Sequence, residues 1–503
     1  MDKVHATATG LLADALAAAG HHLPMPCRGR HTCGKCGVYV AGAAQPPEAI
    51  EAALLARSPQ PALPGYDYRL ACLCHIDDAV SIVASSISAV VVADVGMDLV
   101  GYDGDEPESL GVAIDIGTTT VTVLAFRLGD RERLADVSAL NHQAVHGADV
   151  LSRIDAANTL GVPALQRLIV GQLDQMIARV LDRAGARPTD VTRLTVTGNT
   201  TMLHLLTGRP VASLGVYPFT PQTLFGVDLP AAALFASLTR AECYLPPGIS
   251  TFVGPDIVCG MLATGLGTHD EPELLVDVGT NGEMVLTSRG DTWCCSTAAG
   301  PAFEGAEISA GMPALPGAIE DVWVEGEGVG FATIGHKRPK GLCGTGLISA
   351  VDAFLTLGVI DGTGAMGAAS AVIGRSGISI SQADVRKLQL AKSAVAAGID
   401  TLLSEAHLTA GELSALHLAG GFGSYLQSRP AAGIGLIPQA LVDATDPAGN
   451  TALTGAVLLT LSRTARRTAA QRAAAAREVS LSTHPVFMDR YIENMAFRSE
   501  TDD

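Results

Sequence analysis

Apolar residues along this chain fall into short runs separated by glycine turns, and the texture changes once, near residue 110. Before that point Thr9 to Gly20 (TGLLADALAAAG) reads as a short helix that ends on glycine. Gly37 to Val40 and Val80 to Val83 read as strands, which closes a first unit over residues 1–84. Residues 85–109 carry few helix signals and contain the acidic, turn-rich GYDGDEPES, so they read as a linker. A larger βα-type region then runs over 110–480, and 481–503, with VFMDRYIENMAF, reads as a C-terminal capping tail. The fold class is therefore α+β followed by α/β.

The larger region contains a weak internal repeat. GVAIDIGTTTVTVLAF (111–126) and ELLVDVGTNGEMVLTS (273–288) share an apolar run, D-x-G-T, a polar turn and a second apolar run. Each predicts a β-hairpin with Gly and Thr at its tip. Later in each half a strand runs into a glycine turn and a helix, at LTVTGNTTMLHLL (194–206) and LHLAGGFGSYLQ (416–427). Two homologous lobes, about 110–255 and about 270–430, with a ligand between them and a closing helix near 448–465, is the organisation this predicts.

Composition narrows the class. The 503 residues are 48% hydrophobic and 17% charged, enough apolar surface for large cores. Net charge is −18, from 33 Lys plus Arg against 51 Asp plus Glu, which argues against nucleic acid as a partner. The start MDKVHATATG has no basic segment followed by an apolar one, so no leader is expected. The longest mainly apolar stretch, Ala79 to Ala93, is broken by serines and falls short of the ~20 residues of a membrane span. A cytoplasmic protein without a membrane anchor is expected. In that compartment the ten cysteines suit metal or core packing rather than disulfides.

Four of those cysteines carry a pattern. Cys27, Cys33 and Cys36 are spaced C-x5-C-x2-C, and Cys72 follows at a distance in YRLACLC. Three thiolates on one loop and a fourth from a distant turn suit a [2Fe–2S] cluster, a one-residue variant of C-x4-C-x2-C…C. Buried free thiols or zinc are the alternatives; zinc sites usually show two short pairs. Glycines and basic residues in the loop (Arg28, Gly29, Arg30, Gly34, Lys35) offer N–H groups and charge to cluster sulfurs. Cys74 is a possible substitute for Cys72, and His31 reads as a solvated loop residue. Cys243, Cys259, Cys294, Cys295 and Cys343 show no metal spacing and read as core thiols.

The paired D-x-G-T hairpins point to phosphate. Gly and Thr at a tip leave N–H and hydroxyl donors free for phosphate oxygens. An Asp at the strand end repels bare phosphate but suits Mg2+ or its waters, since Mg2+ binds through one or two carboxylates plus substrate phosphates. Asp115 and Asp277 would then face each other, one from each half. Asp256 in VGPDIV and Glu304 in GPAFEG are acidic residues in glycine-rich turns, read either as holding the attacking water or a metal-bound water, or as turn and surface residues. Asn199 and Thr200 are candidates for contact with nucleotide or partner. GLCGTGLISAVD (341–352), with Gly344 and Thr345, opens a helix on a glycine turn; it is either a nucleotide contact or close helix packing.

These hairpins resemble the acetate and sugar kinase, heat-shock chaperone and actin superfamily of ATPases. The resemblance implies a duplicated two-lobed actin-like ATPase domain. It also implies that Asp115, Gly117, Thr118 and Thr119 form one phosphate motif and Asp277, Gly279, Thr280 and Asn281 the other. Gly420, Gly421 and Gly423 would line the adenosine site, with ATP and Mg2+ as ligands. The cysteine module resembles plant-type and adrenal-type ferredoxins, which favours Cys72 over Cys74 as fourth ligand and implies a small β-grasp fold. Ferredoxins of that fold begin with a β-hairpin. Only about eight residues precede the helix here, so the first strand is expected to be missing or to lie upstream.

A ferredoxin module ahead of such an ATPase resembles the reductive activators of corrinoid proteins. The match rests on AIDIGTTTVTV (113–123), NHQAVHGADVLSRI (141–154), VTGNTTMLHLLTG (196–208), VGPDI (253–257), LLVDVGTNGEM (274–284), STAAGPAFEGAEISAGMPALPGAI (296–319), GLCGTGLI (341–348) and HLAGGFGSYL (417–426). It implies that electrons from a low-potential donor enter at the [2Fe–2S] cluster. They then pass to Co(II) cobalamin on a partner corrinoid protein of a methyltransferase system, restoring Co(I), with ATP making the step possible. It also implies a homodimer. The linker of about 25 residues is read as leaving out the additional middle domain of longer members. Two alternatives keep the ATPase fold: an electron donor to an acyl-CoA dehydratase, and a redox-regulated small-molecule kinase.

Overall fold

The computed structural model describes residues 3–6, 9–18, 36–57, 63–83, 100–147, 149–305, 307–312, 314–420 and 426–497. The chain divides into two compact units, residues 1–91 and 92–503. Among the described residues no helix is long and apolar enough to cross a membrane.

The first unit holds β1 (Lys3–Ala6), β2 (Gly10–Leu11), α1 (Leu12–Ala18), β3 (Gly37–Ala44), α2 (Ala49–Arg57), β4 (Asp67–Leu70) and β5 (His75–Val83). The sheet runs β1-β5-β3-β4, every pair antiparallel, with β2 also on β5. Leu12 and Leu16 of α1 pack on Val38, Val40, Leu70, Ile76 and Ile82, alternate residues of one sheet face. Against expectation a first strand is present, with Lys3 opposite Val83 and Ala6 opposite Val80. Four residues are too few for alternation to register in the sequence. Their hydrogen bonds come from the long β5, which starts at His75 rather than Val80.

The second unit is built twice on one plan. Its first sheet contains β6 (Leu110–Ile116), β7 (Thr120–Arg127), β8 (Arg133–Leu140), β9 (Val191–Gly198), β10 (Val227–Pro230) and β11 (Glu242–Leu245), in the order β10-β11-β9-β6-β7-β8. Helices α3 (Val150–Leu160), α4 (Val162–Arg183) and α5 (Thr200–Leu206) belong to this lobe, and α4 and α5 share its main core with β6, β7 and β9. Helix α6 (Pro255–Ala263) leads to the second sheet, whose strands β12 (Glu273–Val278), β13 (Gly282–Ser288) and β14 (Asp291–Thr297) form a meander like β6-β7-β8. Strand Ala415–Ala419 lies parallel beside β12, and Thr445–Gly449 parallel beside that, as β9 and β11 do beside β6. The sequence repeat is thus a structural one. Both central strands are nearly continuous apolar runs because both of their faces are covered.

The lobes exchange helices. Apolar residues of α6 pack on β12, β13 and β14 of the second sheet. The helix Thr451–Leu461 packs on the first sheet, where Thr460 donates to Thr195 of β9 at 2.8 Å. The two helices cross closely, because a Cβ at Gly455 would lie 2.2 Å from the Cys259 carbonyl oxygen. Residues 100–109, in the stretch read as a linker, pack on this unit: Asp103 accepts from Arg193 at 3.0 Å and from the Arg463 backbone N–H at 2.5 Å. Behind β13 and β14 lies the long helix Gln382–Glu405, and the tail lies on it, with Asn494 donating to Asp400 at 2.8 Å.

Candidate functional site

Within the second unit, the two hairpins present their aspartates alike. Asp115 sits one residue before the end of β6, opposite Thr122 of β7 and beside Thr197 of β9. Asp277 sits one residue before the end of β12, opposite Glu283 of β13 and beside Ala419. Each turn is closed by its glycine: the Gly117 N–H donates to the Thr120 carbonyl at 2.9 Å and the Gly279 N–H to the Asn281 carbonyl at 2.8 Å.

Asp115, Asp256, Asp277 and Glu283 act on one another. Loss of water raises Asp115 to about 6, partly offset by a hydrogen bond from Asn450 at 3.0 Å. It raises Asp277 to about 7, with the charge of Asp115 adding to it. Asp256, in the first turn of α6, is raised to about 8 by burial and by the charges of Asp277 and Asp115. Burial raises Glu283 well above the usual carboxylate range, and Asp256 and Asp277 add to it. Such a group of mutually repelling carboxylates favours a cation beside it. Among the described residues no three His, Cys, Asp or Glu side chains converge as a joint metal site. That donor set fits Mg2+, which takes only one or two protein carboxylates and fills its remaining positions with phosphates and water.

The hairpin tips are joined through Glu304, at the end of the short turn Pro301–Glu304. Its two carboxylate oxygens accept from Thr119 at 2.5 Å and from Thr280 at 2.9 Å. Thr118 is held from two sides: Asn199 donates to its hydroxyl at 3.1 Å, and Arg153 to its carbonyl at 2.5 Å. Asn199 also caps α5 by accepting from the Met202 N–H, while the Thr200 hydroxyl is spent on the Ser250 carbonyl. Gly254 lets α6 start against Asn199, since a Cβ there would lie 2.7 Å from Asp256 Oδ1 and 2.8 Å from the Asn199 Cα.

Gly420 follows the strand beside β12 with φ near +90°, and a Cβ there would lie 2.5 Å from Asp277 Oδ1. Glycine is required on both counts. Gly421 and Gly423 lie outside the described residues. Thr345 donates to the Glu320 carbonyl at 3.0 Å, and two residues after Gly344 a Cβ at Gly346 would meet the Ile319 carbonyl oxygen at 2.2 Å. Those contacts pack the helix start closely against the strand before it.

Three site residues escaped the sequence reading. Asn450 looks like an ordinary helix cap. Arg153 is fully buried, its guanidinium lowered to about 10 by loss of water, and it reaches the Gly147 and Thr118 carbonyls. Glu283 carried a signal that went unused: it is the one charge in its strand, at the position that Thr122 occupies in the first repeat.

In the first unit, Cys36 and Cys72 are buried, and their sulfurs lie 3.2 Å apart. The turn carrying Cys72 is pinned by the Ala71 N–H donating to the Cys36 carbonyl at 3.0 Å. Cys74 is also buried, and loss of water pushes its thiol up to about 11. Cys27 and Cys33 lie outside the described residues. Two thiols from distant segments in contact fit one side of a four-thiolate cluster site.

Residues 110–269 match the family model described as the RACo middle region, and residues 271–503 the one described as the C-terminal domain of RACo, the ASKHA domain. The match to the middle region falls on the first lobe itself. The chain is 30% identical over 436 residues to the corrinoid activation enzyme RamQ of Eubacterium limosum, covering 80% of this chain and 72% of that one. It is 29% identical over 360 residues to a Co(II) methylated amine-specific corrinoid protein reductase of Methanosarcina barkeri, covering 65% of this chain and 66% of that one. Among solved structures, a reductive activator for corrinoid, iron–sulfur protein matches with a TM-score of 0.72 at 27% identity, over 97% of this chain and 95% of that one. With its two actin-like lobes, its paired aspartate hairpins and these relatives, the chain belongs to the family of enzymes that reductively activate corrinoid proteins.

Proposed function

We propose that this protein is an ATP-dependent reductive activator. It delivers one electron to Co(II) cobalamin on a partner corrinoid protein of a methyltransferase system and returns the cobalt to Co(I). A low-potential donor supplies the electron and is itself oxidised by one electron. The observation that carries the reading is the match of residues 110–503 to the two family models, with an aspartate hairpin in each lobe. The protein would work in the cytoplasm as a homodimer.

Cys27, Cys33, Cys36 and Cys72 would hold a [2Fe–2S] cluster, which supplies one-electron redox chemistry near about −400 mV. Every 59 mV of uphill one-electron transfer costs about tenfold in the equilibrium. Nucleotide hydrolysis is the source of free energy that would offset it. Asp115 and Asp277 would carry Mg2+ or its waters, and the N–H groups of residues 117–119 and 279–281 would donate to phosphate oxygens. Asp256, raised to about 8, is suited to take the proton of the water that attacks the terminal phosphate. The ATP-bound protein must prefer the partner in a form whose cobalt is easier to reduce, since only differential affinity for two states shifts an equilibrium.

The test is anaerobic. Purified protein, a low-potential donor, a Co(II) corrinoid protein and Mg·ATP are mixed, and the Co(I) absorption band is followed. The band is expected only with ATP, and equal reduction without it would end the coupling claim. Asp115→Asn and Asp277→Asn should abolish the ATP dependence and leave the iron–sulfur spectrum intact.

A further inference from the structure

Glu304 engages one hydroxyl from each lobe. Thr119 at the first hairpin tip donates to one carboxylate oxygen and Thr280 at the second to the other, at 2.5 and 2.9 Å. A half-buried anion with acceptors facing two hairpin tips has the charge and hydrogen-bonding layout of a phosphoryl group. Phosphate oxygens entering between the tips need those same hydroxyls. Two anions cannot share them, and like charges at that range repel. Arg153 lies close enough for the charge of Glu304 to act on its guanidinium, and it holds the Thr118 carbonyl. An arriving phosphate would replace that charge as Glu304 leaves.

We propose that Glu304 is a nucleotide-determining residue, a built-in competitor for the phosphate oxygens, so that nucleotide binding and release of the Pro301–Glu304 turn are one event. This rests on the nucleotide reading given above. The released segment has somewhere to act. A few residues on, the Ser309 N–H and hydroxyl both donate to Asp384, in the first turn of the long helix Gln382–Glu405, at 2.8 and 2.5 Å. Movement of the turn is therefore felt at the start of the helix that backs the second sheet.

The experiment is calorimetric titration of full-length protein with Mg·AMPPNP, which binds without being hydrolysed. Glu304→Ala should bind it at least tenfold more tightly than wild type, with Glu304→Gln in between because the neutral amide keeps one acceptor. Wild-type binding with equal or weaker binding by Glu304→Ala overturns the competitor role and leaves the nucleotide reading standing. No binding by wild type or variant overturns both. Hydrogen exchange on the wild-type protein needs no variant to fold. Residues 301–312 should exchange faster with Mg·AMPPNP bound, and unchanged or slower exchange there overturns the proposal.

Discussion

Asn450 donates its side-chain amide to Asp115 Oδ2 at 3.0 Å, which ties the turn before the helix Thr451–Leu461 to the first hairpin. The same side chain accepts from the Leu453 N–H at 2.8 Å and so caps that helix. One residue thus orders a helix start and supplies the hydrogen bond that offsets the burial of Asp115.

The two roles are separable. Asn450→Ala removes both and should cost about 1 kcal/mol of stability as a lost cap. It should also weaken Mg·nucleotide binding by roughly tenfold, the scale of one hydrogen bond to a charged group. Asn450→Ser keeps a capping oxygen but is too short to reach Asp115. Denaturant unfolding of the serine variant should return close to wild type while its titration with nucleotide does not. Recovery of both would show that the amide contributes nothing at Asp115.

The carboxylate group sets a pH dependence of stability. Asp115, Asp277 and Asp256 are raised to about 6, 7 and 8, above the ~4 of an unfolded carboxylate. Between pH 4 and pH 8 the native state therefore holds more protons than the unfolded state. With more protons bound in the native state, unfolding free energy falls as pH rises. The contribution of Asp256 should decline across this window and level off above about pH 8. Urea midpoints of ligand-free wild type and Asp256→Asn, compared from pH 5 to pH 9, should show wild type losing ground as pH rises. A constant gap would contradict the shared burial.

The hairpins were legible because their signal is local: Gly117 and Gly279 close the turns, and Asp115 and Asp277 stand at fixed offsets from them. The duplication was legible because both central strands need apolar residues on both faces. Asn450 was not, since a cap residue looks the same whatever its amide reaches, and Asp115 lies in the other half of the fold. Arg153 was hidden likewise, because its partners are backbone carbonyls, which leave no mark on the sequence. The first strand, Lys3–Ala6, depends on pairing with β5 rather than on any pattern of its own.

In the first unit, Arg69 and Glu51 form a buried two-point pair. Arg69 Nε and Nη2 donate to the two Glu51 oxygens at 2.9 and 2.7 Å, with side chains 6% and 0% exposed. Glu51 also accepts from the Leu70 N–H at 2.8 Å, two residues before Cys72. Glu51→Gln leaves the guanidinium buried without its charge partner, a change that typically costs about 3–5 kcal/mol. The expected result is loss of iron from the first unit, measured by metal analysis, with nucleotide titration unchanged. Full iron content at wild-type stability would mean that this pair does not hold the Cys72 turn.

The two nearby cysteines can be told apart by the same measurement. Cys72 Sγ lies 3.2 Å from Cys36 Sγ, and the proposed cluster takes both as ligands. Cys74 is turned elsewhere, 4.0 Å from the His75 carbonyl oxygen, and burial raises its thiol to about 11. Only a thiolate ligates iron, and a thiol held that high gives up its proton reluctantly. After anaerobic reconstitution, Cys72→Ser should lose most of its iron and acid-labile sulfide together with the visible absorption. Cys74→Ser should keep all three near wild-type levels, because serine fills nearly the same volume and the proposed ligand set does not include this position. If Cys74→Ser lost the cluster and Cys72→Ser retained it, the fourth ligand would be Cys74, and the Cys72 turn would have to rotate to deliver it.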